Sequence, residues 1–110
     1  MGWTILLYNS IGVYMQDESL SSVSNLTYNY SVPECMKYWH GPRDYHGKTV
    51  GEAMDGMRKA ICAMFADGIL PLPYYAKETR ENFQNSLLAW LISHSQQLSV
   101  FPKDWRVELE

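Results

Sequence analysis

The segment that most constrains the fold is Thr49–Phe65, which predicts a long helix with a defined start. Thr49 and Glu52 have the spacing of a capping box, in which Thr caps an early amide and Glu reaches back to the cap residue. Apolar side chains then recur at helical spacing, at Val50, Met54, Met57, Ile61 and Met64. Asp67-Gly68 predicts the end of the helix.

Two glycines interrupt this predicted helix, at Gly51 and Gly56. Each weakens a helix by about 1 kcal/mol relative to alanine, because glycine loses more backbone freedom when it is ordered. We therefore expect at least one of them to allow close packing against another element.

A second long helix is predicted to begin near residues 77–79 and to run to about Leu98. Its apolar stripe consists of Phe83, Leu87, Trp90, Leu91, His94 and Leu98. We expect His94, on the apolar side, to be a packing residue with its polar atoms satisfied. The segment Ile69–Tyr75 contains Pro71 and Pro73, so it is predicted to connect the two helices without regular helix.

Strand patterns occupy both ends of the chain. Residues 4–8 and 11–15 are rich in β-branched and aromatic side chains, which predicts either a tight hairpin around Asn9-Ser10 or one long strand with a bulge near Gly12. The runs 23–30 and 105–110 alternate well enough for two more strands. We expect the last one to pair with an N-terminal strand.

The sequence predicts a single α+β domain covering residues 1–110. A small, mainly antiparallel sheet, made of the N-terminal strands and the C-terminal strand, would pack against two long helices and one short helix. The short helix is predicted from Pro33, which suits a first helical turn, to about His40, before Gly41-Pro42.

Composition excludes some classes of protein. With 46% hydrophobic and 19% charged residues, the chain is expected to fold by itself. A formal charge of −3 argues against wrapping a nucleic-acid polymer, which requires many lysines and arginines. The start of the chain lacks signal-peptide features and no run approaches membrane-spanning length, so we expect a cytoplasmic protein without a membrane partner. Two unpatterned cysteines agree with a reducing compartment.

Polar, aromatic and basic side chains are concentrated between residues 24 and 49. Asn25, Thr27 and Asn29 share one face of the predicted strand and could hydrogen-bond to base or ribose edges. Aromatic rings such as Trp39 could stack on a base, and Arg43 and Lys48 could hold phosphates. The candidate ligand-binding residues are Asn25, Thr27, Tyr28, Asn29, Trp39, His40, Arg43, His46 and Lys48. The alternative is that the polar side chains satisfy loop backbone and the aromatic rings line the core.

The sequence gives less support for a catalytic site or a metal site. Gly47-Lys48-Thr49 resembles the end of a phosphate-binding P-loop, but the glycine that such a loop needs at position 42 is Pro42. A weaker possibility is an anion held by free amides at the start of the helix beside Lys48. Cys35 with His40 or His46 lacks a recognisable zinc or nucleophile spacing. We expect no catalytic residues, no metal and no cofactor.

The segment Ser24-Asn25-Leu26-Thr27-Tyr28-Asn29, followed by Pro33 and Gly47-Lys48-Thr49, resembles a family of small proteins encoded mainly by bacteriophages and actinobacterial genomes. That family has an S-N-[VIL]-T-[HY]-N element before a G-K-[TA] helix start. The resemblance covers most of the chain, although residues 74–79 replace the G-W-G segment common in the family. It implies a fold and a viral context, and no particular activity.

Two functions are compatible with these features. The first is a phage-encoded protein that captures a small nucleotide-type immune signal in the host bacterial cytoplasm and so counters bacterial defence. The second is an inhibitor or adaptor that blocks a host defence or metabolic enzyme through an aromatic surface. The residues proposed for that surface are Trp3, Tyr8, Tyr14, Tyr74 and Tyr75. The heavy aromatic content of a short chain also predicts a homodimer.

Overall fold

The computed structural model describes residues 5–15, 32–41 and 45–109. Within these ranges the elements follow in the order β1 (Ile5–Tyr8), β2 (Tyr14–Met15), α1 (Pro33–Met36), α2 (Val50–Ala66), α3 (Phe83–Leu98) and β3 (Arg106–Leu109). One turn of 3₁₀ helix, Arg80–Asn82, leads into α3. The predicted α+β class is therefore confirmed.

The sheet is antiparallel and has the strand order β2-β1-β3. Leu7 on the central strand lies opposite Met15 of β2 on one side and Val107 of β3 on the other. The predicted pairing of the C-terminal strand with an N-terminal strand is confirmed. The strand predicted at residues 23–30 lies outside the described residues.

The first two strands form a hairpin, as one of the two sequence-based alternatives predicts. The Asn9 side-chain oxygen accepts hydrogen bonds from the amides of Ile11 (3.1 Å) and Val13 (2.9 Å). Gly12 has a φ of +85°, a conformation that glycine adopts without strain. The loop is longer than the expected Asn9-Ser10 turn because the Asn9 side chain organises the backbone as far as Val13.

Helix α2 begins at the predicted capping box. The Thr49 hydroxyl accepts a hydrogen bond from the Glu52 amide, and the Glu52 carboxylate accepts one from the Thr49 amide, both at 3.1 Å. The helix ends at Ala66, and Gly68 follows with a φ of +81°. Both ends therefore use the residues that the sequence indicates.

The core lies between the sheet and the facing sides of α2 and α3. Ile5, Leu7 and Val107 supply the buried face of the sheet. Of the predicted apolar positions on α2, all are buried except Ile61, which is half-buried. The buried residues of α3 are Leu87, Leu88, Leu91, His94 and Leu98. Burial of these apolar side chains is the main stabilising contribution to the fold.

Helix α1 is shorter than predicted, ending at Met36 rather than near His40. The amides of Tyr38 and Trp39 both donate to the Cys35 carbonyl, at 3.0 and 3.1 Å, so the chain tightens after the first turn. This tight turn places Trp39 in the core with 4% of its surface exposed. Burial of a large aromatic side chain favours this path over continued helix.

The two glycines of α2 have different surroundings. A Cβ on Gly51 would lie 3.4 Å from the Lys103 Cβ, so this position packs against the segment that precedes β3. A Cβ on Gly56 would meet nothing within 4 Å. Close packing therefore accounts for Gly51 but not for Gly56.

Gly56→Ala is expected to raise the free energy of unfolding by about 0.5–1 kcal/mol, because alanine costs less backbone entropy in a helix and the methyl group has room. Urea unfolding followed by circular dichroism measures the change. Gly51→Ala is the matched control and should gain less, since its methyl group meets Lys103. A loss of stability on Gly56→Ala would contradict the open surroundings of this glycine.

Candidate functional site

An open groove of about 340 Å³ runs along α2, and we call it the lysine groove. On the α2 side it is lined by Glu52, Ala53, Gly56, Lys59, Ala60 and Ala63. On the other side it is lined by Lys37, Tyr38, Trp39, His40, Tyr45 and Lys48. Its volume is within the range of small-molecule sites, towards the lower end.

The groove exists because one face of α2 carries small side chains. Ala53, Gly56, Ala60 and Ala63 are three or four positions apart and so lie on the same side of the helix. Gly56, near the middle, leaves open space where another residue would place a side chain. The missing side chain of Gly56 therefore contributes directly to the width of the groove.

Positive charge predominates among the described residues of the groove. Lys37, Lys48 and Lys59 come from three different segments and are all exposed, while Glu52 is the carboxylate on the wall. The hydrogen bonds from the Thr49 amide and hydroxyl lower the pKa of Glu52, with a smaller contribution from the charge of Lys48. The carboxylate is thus ionised and held by the helix cap. The three lysines of the groove contrast with the formal charge of −3 on the whole chain.

The backbone around Lys48 is fixed by β3. The Lys48 amide donates to the Tyr45 carbonyl (3.1 Å), and the Lys48 carbonyl accepts from the Val107 amide (2.8 Å). The Gly47 amide donates to the Val107 carbonyl at 2.7 Å, and Gly47 has a φ of +80°. Lys48 therefore extends into solvent from a backbone position that the sheet holds in place.

The start of α2 does not offer free amides to an anion. The Val50 amide donates to the Trp105 carbonyl (2.7 Å), the Gly51 amide to the Lys103 carbonyl (3.0 Å) and the Glu52 amide to the Thr49 hydroxyl (3.1 Å). The sequence-based suggestion of an anion held by these amides is wrong, because the segment before β3 and the capping box already satisfy them. Any anion in the groove would interact with side chains.

The aromatic rings beneath the groove pack against one another. The Trp39 ring lies 6.3 Å from the Tyr45 ring and 5.3 Å from the Trp90 ring, measured between centroids. His94 completes the cluster, with its ring 4.5 Å from Trp90 and 6.4 Å from Tyr45. Tyr45 is 2% exposed. The faces of Trp39 and Tyr45 are therefore occupied, which disagrees with the predicted use of Trp39 as a stacking surface.

Tyr38 is the other tyrosine of the groove lining and is half-buried. Its hydroxyl donates a hydrogen bond to the Asp67 carboxylate, and this bond raises the pKa of Tyr38. The Lys37 ammonium lies 5.0 Å from the centre of the Tyr38 ring, within cation–π distance. Tyr38 thus links the groove to the end of α2 and holds Lys37 at its edge.

The structure brings together three of the predicted site residues, Trp39, His40 and Lys48, on the lysine groove. His46 is exposed and does not belong to the groove lining. The other predicted residues, Asn25, Thr27, Tyr28, Asn29 and Arg43, lie outside the described residues. Sequence reasoning missed Lys37, Gly56 and Lys59. The row of small side chains on one face of α2 is the sequence signal that could have indicated them.

The Cys35 thiol lacks the properties of an activated nucleophile. It is fully buried, and burial, assisted by the charges of Glu34 and Glu78, raises its pKa to about 11. A thiol of this kind stays protonated near neutral pH, whereas nucleophilic cysteines have lowered pKa values. Among the residues that the structure describes, no three histidine, cysteine, aspartate or glutamate side chains are grouped as metal ligands.

The described helices include none with the length and apolar character needed to cross a membrane. Comparison with protein-family models, curated proteins and solved structures finds no significant match to this chain.

Proposed function

We propose that this protein binds a small nucleotide-type ligand in the lysine groove and holds it without chemical change. The observation that carries the proposal is the placement of Lys37, Lys48 and Lys59 around one groove on an otherwise acidic chain. Lysine ammonium groups attract phosphate as point charges, and a concave wall strengthens their combined field. A phosphate-bearing small molecule suits this site better than a neutral one.

A second hollow among the described residues supports this choice by contrast. It measures about 220 Å³, and its lining includes Glu34 and Glu81 with Arg80 as the described cation. Two carboxylates against one guanidinium would repel an anionic ligand. The lysine groove is therefore the better candidate for a nucleotide.

The biological role that we propose is sequestration of an immune signal. The resemblance to small bacteriophage proteins favours a protein that acts in the host bacterial cytoplasm against a bacterial defence pathway. Binding without turnover is sufficient for such a role, since removing the signal from solution lowers its free concentration. The protonated Cys35 and the cap-bound Glu52 agree with binding rather than catalysis.

A second candidate function is inhibition of a host enzyme through an aromatic surface. Tyr74 is 99% exposed and Tyr75 is 79% exposed, and their rings meet edge to face at 5.6 Å. Leu70, on the same connector, is 67% exposed. Exposed aromatic residues of this kind are enriched in protein-binding surfaces.

Native mass spectrometry with a panel of cyclic dinucleotides, cyclic oligonucleotides and ADP-ribose derivatives tests the proposal. The expected result is a specific mass shift with at least one member, lost or strongly reduced in Lys48→Gln. Lys77→Gln is the matched control, because Lys77 is exposed and is not part of the groove lining. Equal loss in both variants, or no shift with any member, would contradict capture in the groove.

A further inference from the structure

We infer that the lysine groove recognises a chain of phosphates rather than a base, so that affinity increases with the number of phosphate groups on the ligand. The inference rests on the proposed function and narrows it. It would make the groove selective for multiply charged ligands and tolerant of the base.

The first support is that the groove offers little to a base. Trp39 and Tyr45 pack against neighbouring rings and are 4% and 2% exposed. The half-buried Tyr38 ring has the Lys37 ammonium 5.0 Å from its centre, and its hydroxyl is hydrogen-bonded to Asp67. Stacking of a base requires an open aromatic face. Among the described residues of the wall there is no asparagine, glutamine, serine or threonine to read a base edge.

The second support is the distribution of the lysines. Lys48 lies just before α2, whereas Lys59 lies nine helical positions after Val50, so about 14 Å of helix separates the two ends. Lys37, from the segment after α1, lies across the groove from Lys59. A single phosphate can contact only the lysine at one end of the groove. A di- or triphosphate is long enough to contact more than one of the three lysines.

The third support is that the one described carboxylate of the groove, Glu52, offsets only one of the three lysine charges. The amide and the hydroxyl of Thr49 both donate to the same oxygen of Glu52, Oε1, which holds the carboxylate at the helix cap. The three lysines therefore outnumber Glu52 by two formal charges. A ligand with several negative charges complements this wall better than a monoanion.

Isothermal titration calorimetry in magnesium-free buffer tests the inference with adenosine, AMP, ADP, ATP and inorganic tripolyphosphate. Adenosine is expected not to bind, and each added phosphate is expected to raise affinity by up to about tenfold. Tripolyphosphate, which has no base, should bind within about threefold of ATP. Lys59→Gln should reduce the gain from AMP to ATP, and Lys77→Gln should not.

The outcomes separate this inference from the proposed function. Equal affinity for AMP and ATP, or binding of ATP without binding of tripolyphosphate, would overturn phosphate-chain recognition and leave nucleotide capture standing. A mass shift with a cyclic dinucleotide, but no heat of binding with the adenosine series or tripolyphosphate, would also overturn phosphate-chain recognition and leave nucleotide capture standing. No binding of any nucleotide or of tripolyphosphate would overturn both.

Discussion

Gly56→Leu is expected to lower the affinity of the lysine groove for its nucleotide ligand at least about a hundredfold, equivalent to about 3 kcal/mol of binding free energy. A Cβ at this position meets nothing within 4 Å, so the leucine side chain has an open path from the helix into the groove. It would occupy space that the ligand needs between Lys48 and Lys59. Calorimetric titration measures the loss, and circular dichroism checks that the helix is intact.

Two control variants distinguish obstruction from a general effect on α2. Gly56→Ala adds one methyl group and should weaken binding much less than Gly56→Leu. Cys62→Leu places the same side chain at an exposed position on the same helix that is not part of the groove lining. It should bind with wild-type affinity. Full affinity of Gly56→Leu would show that the ligand binds elsewhere.

The free energy of unfolding is expected to fall by about 3 kcal/mol between pH 7.5 and pH 4 because of His94 alone. Burial lowers the pKa of His94 from 6.5 to about 4, against a smaller opposing effect of the hydrogen bond with Gln97. Between these values the unfolded chain binds a proton that the folded chain does not. The stabilisation that comes from keeping His94 neutral is therefore complete above pH 6.5 and is lost as the pH falls towards 4.

Urea unfolding of the wild type and of His94→Phe across this pH range measures the contribution. Phenylalanine keeps a ring beside Trp90 and Tyr45 but cannot be protonated. Carboxylates titrate in both proteins, so the difference between the two curves isolates His94. We expect the variant to lose about 3 kcal/mol less than the wild type. Parallel curves would mean that His94 is protonated in the folded protein without penalty.

The elements that the sequence predicts well are those defined by neighbouring residues. The capping box of Thr49 and Glu52 and the apolar spacing that follows determine α2 within a few residues. The alternation after Trp105 likewise predicts β3. In each case the local preference and the tertiary packing agree.

The features that sequence reasoning missed depend on residues far apart in the chain. The amides at the start of α2 are satisfied by carbonyls of residues 103 and 105, which no local pattern indicates. Helix α1 ends early because Trp39 is buried against Trp90. The groove itself arises where the segment after α1 faces α2, so its lysines are close only in the folded chain.

For His94, the sequence predicts burial correctly but does not predict the hydrogen bonding. The apolar stripe of α3 correctly predicts that it is buried, with 2% of its surface exposed. The expectation that all its polar atoms are satisfied is not met, because its Nε2 has no hydrogen-bond partner among the described residues. The neighbouring Tyr45 hydroxyl also has no hydrogen-bond partner among the described residues. Periodicity predicts which side chains are buried but not which polar atoms find partners.

The central claim, that a phosphate-bearing ligand binds along α2 in the lysine groove, is tested most directly by two-dimensional ¹H–¹⁵N NMR. Amide shifts would be followed while ATP, or the panel member found by mass spectrometry, is added to the labelled protein. The account predicts the largest shifts at residues 37–40, 48 and 56–60. Shifts confined to the connector around Tyr74 and Tyr75, or to the hollow beside Arg80, would contradict it.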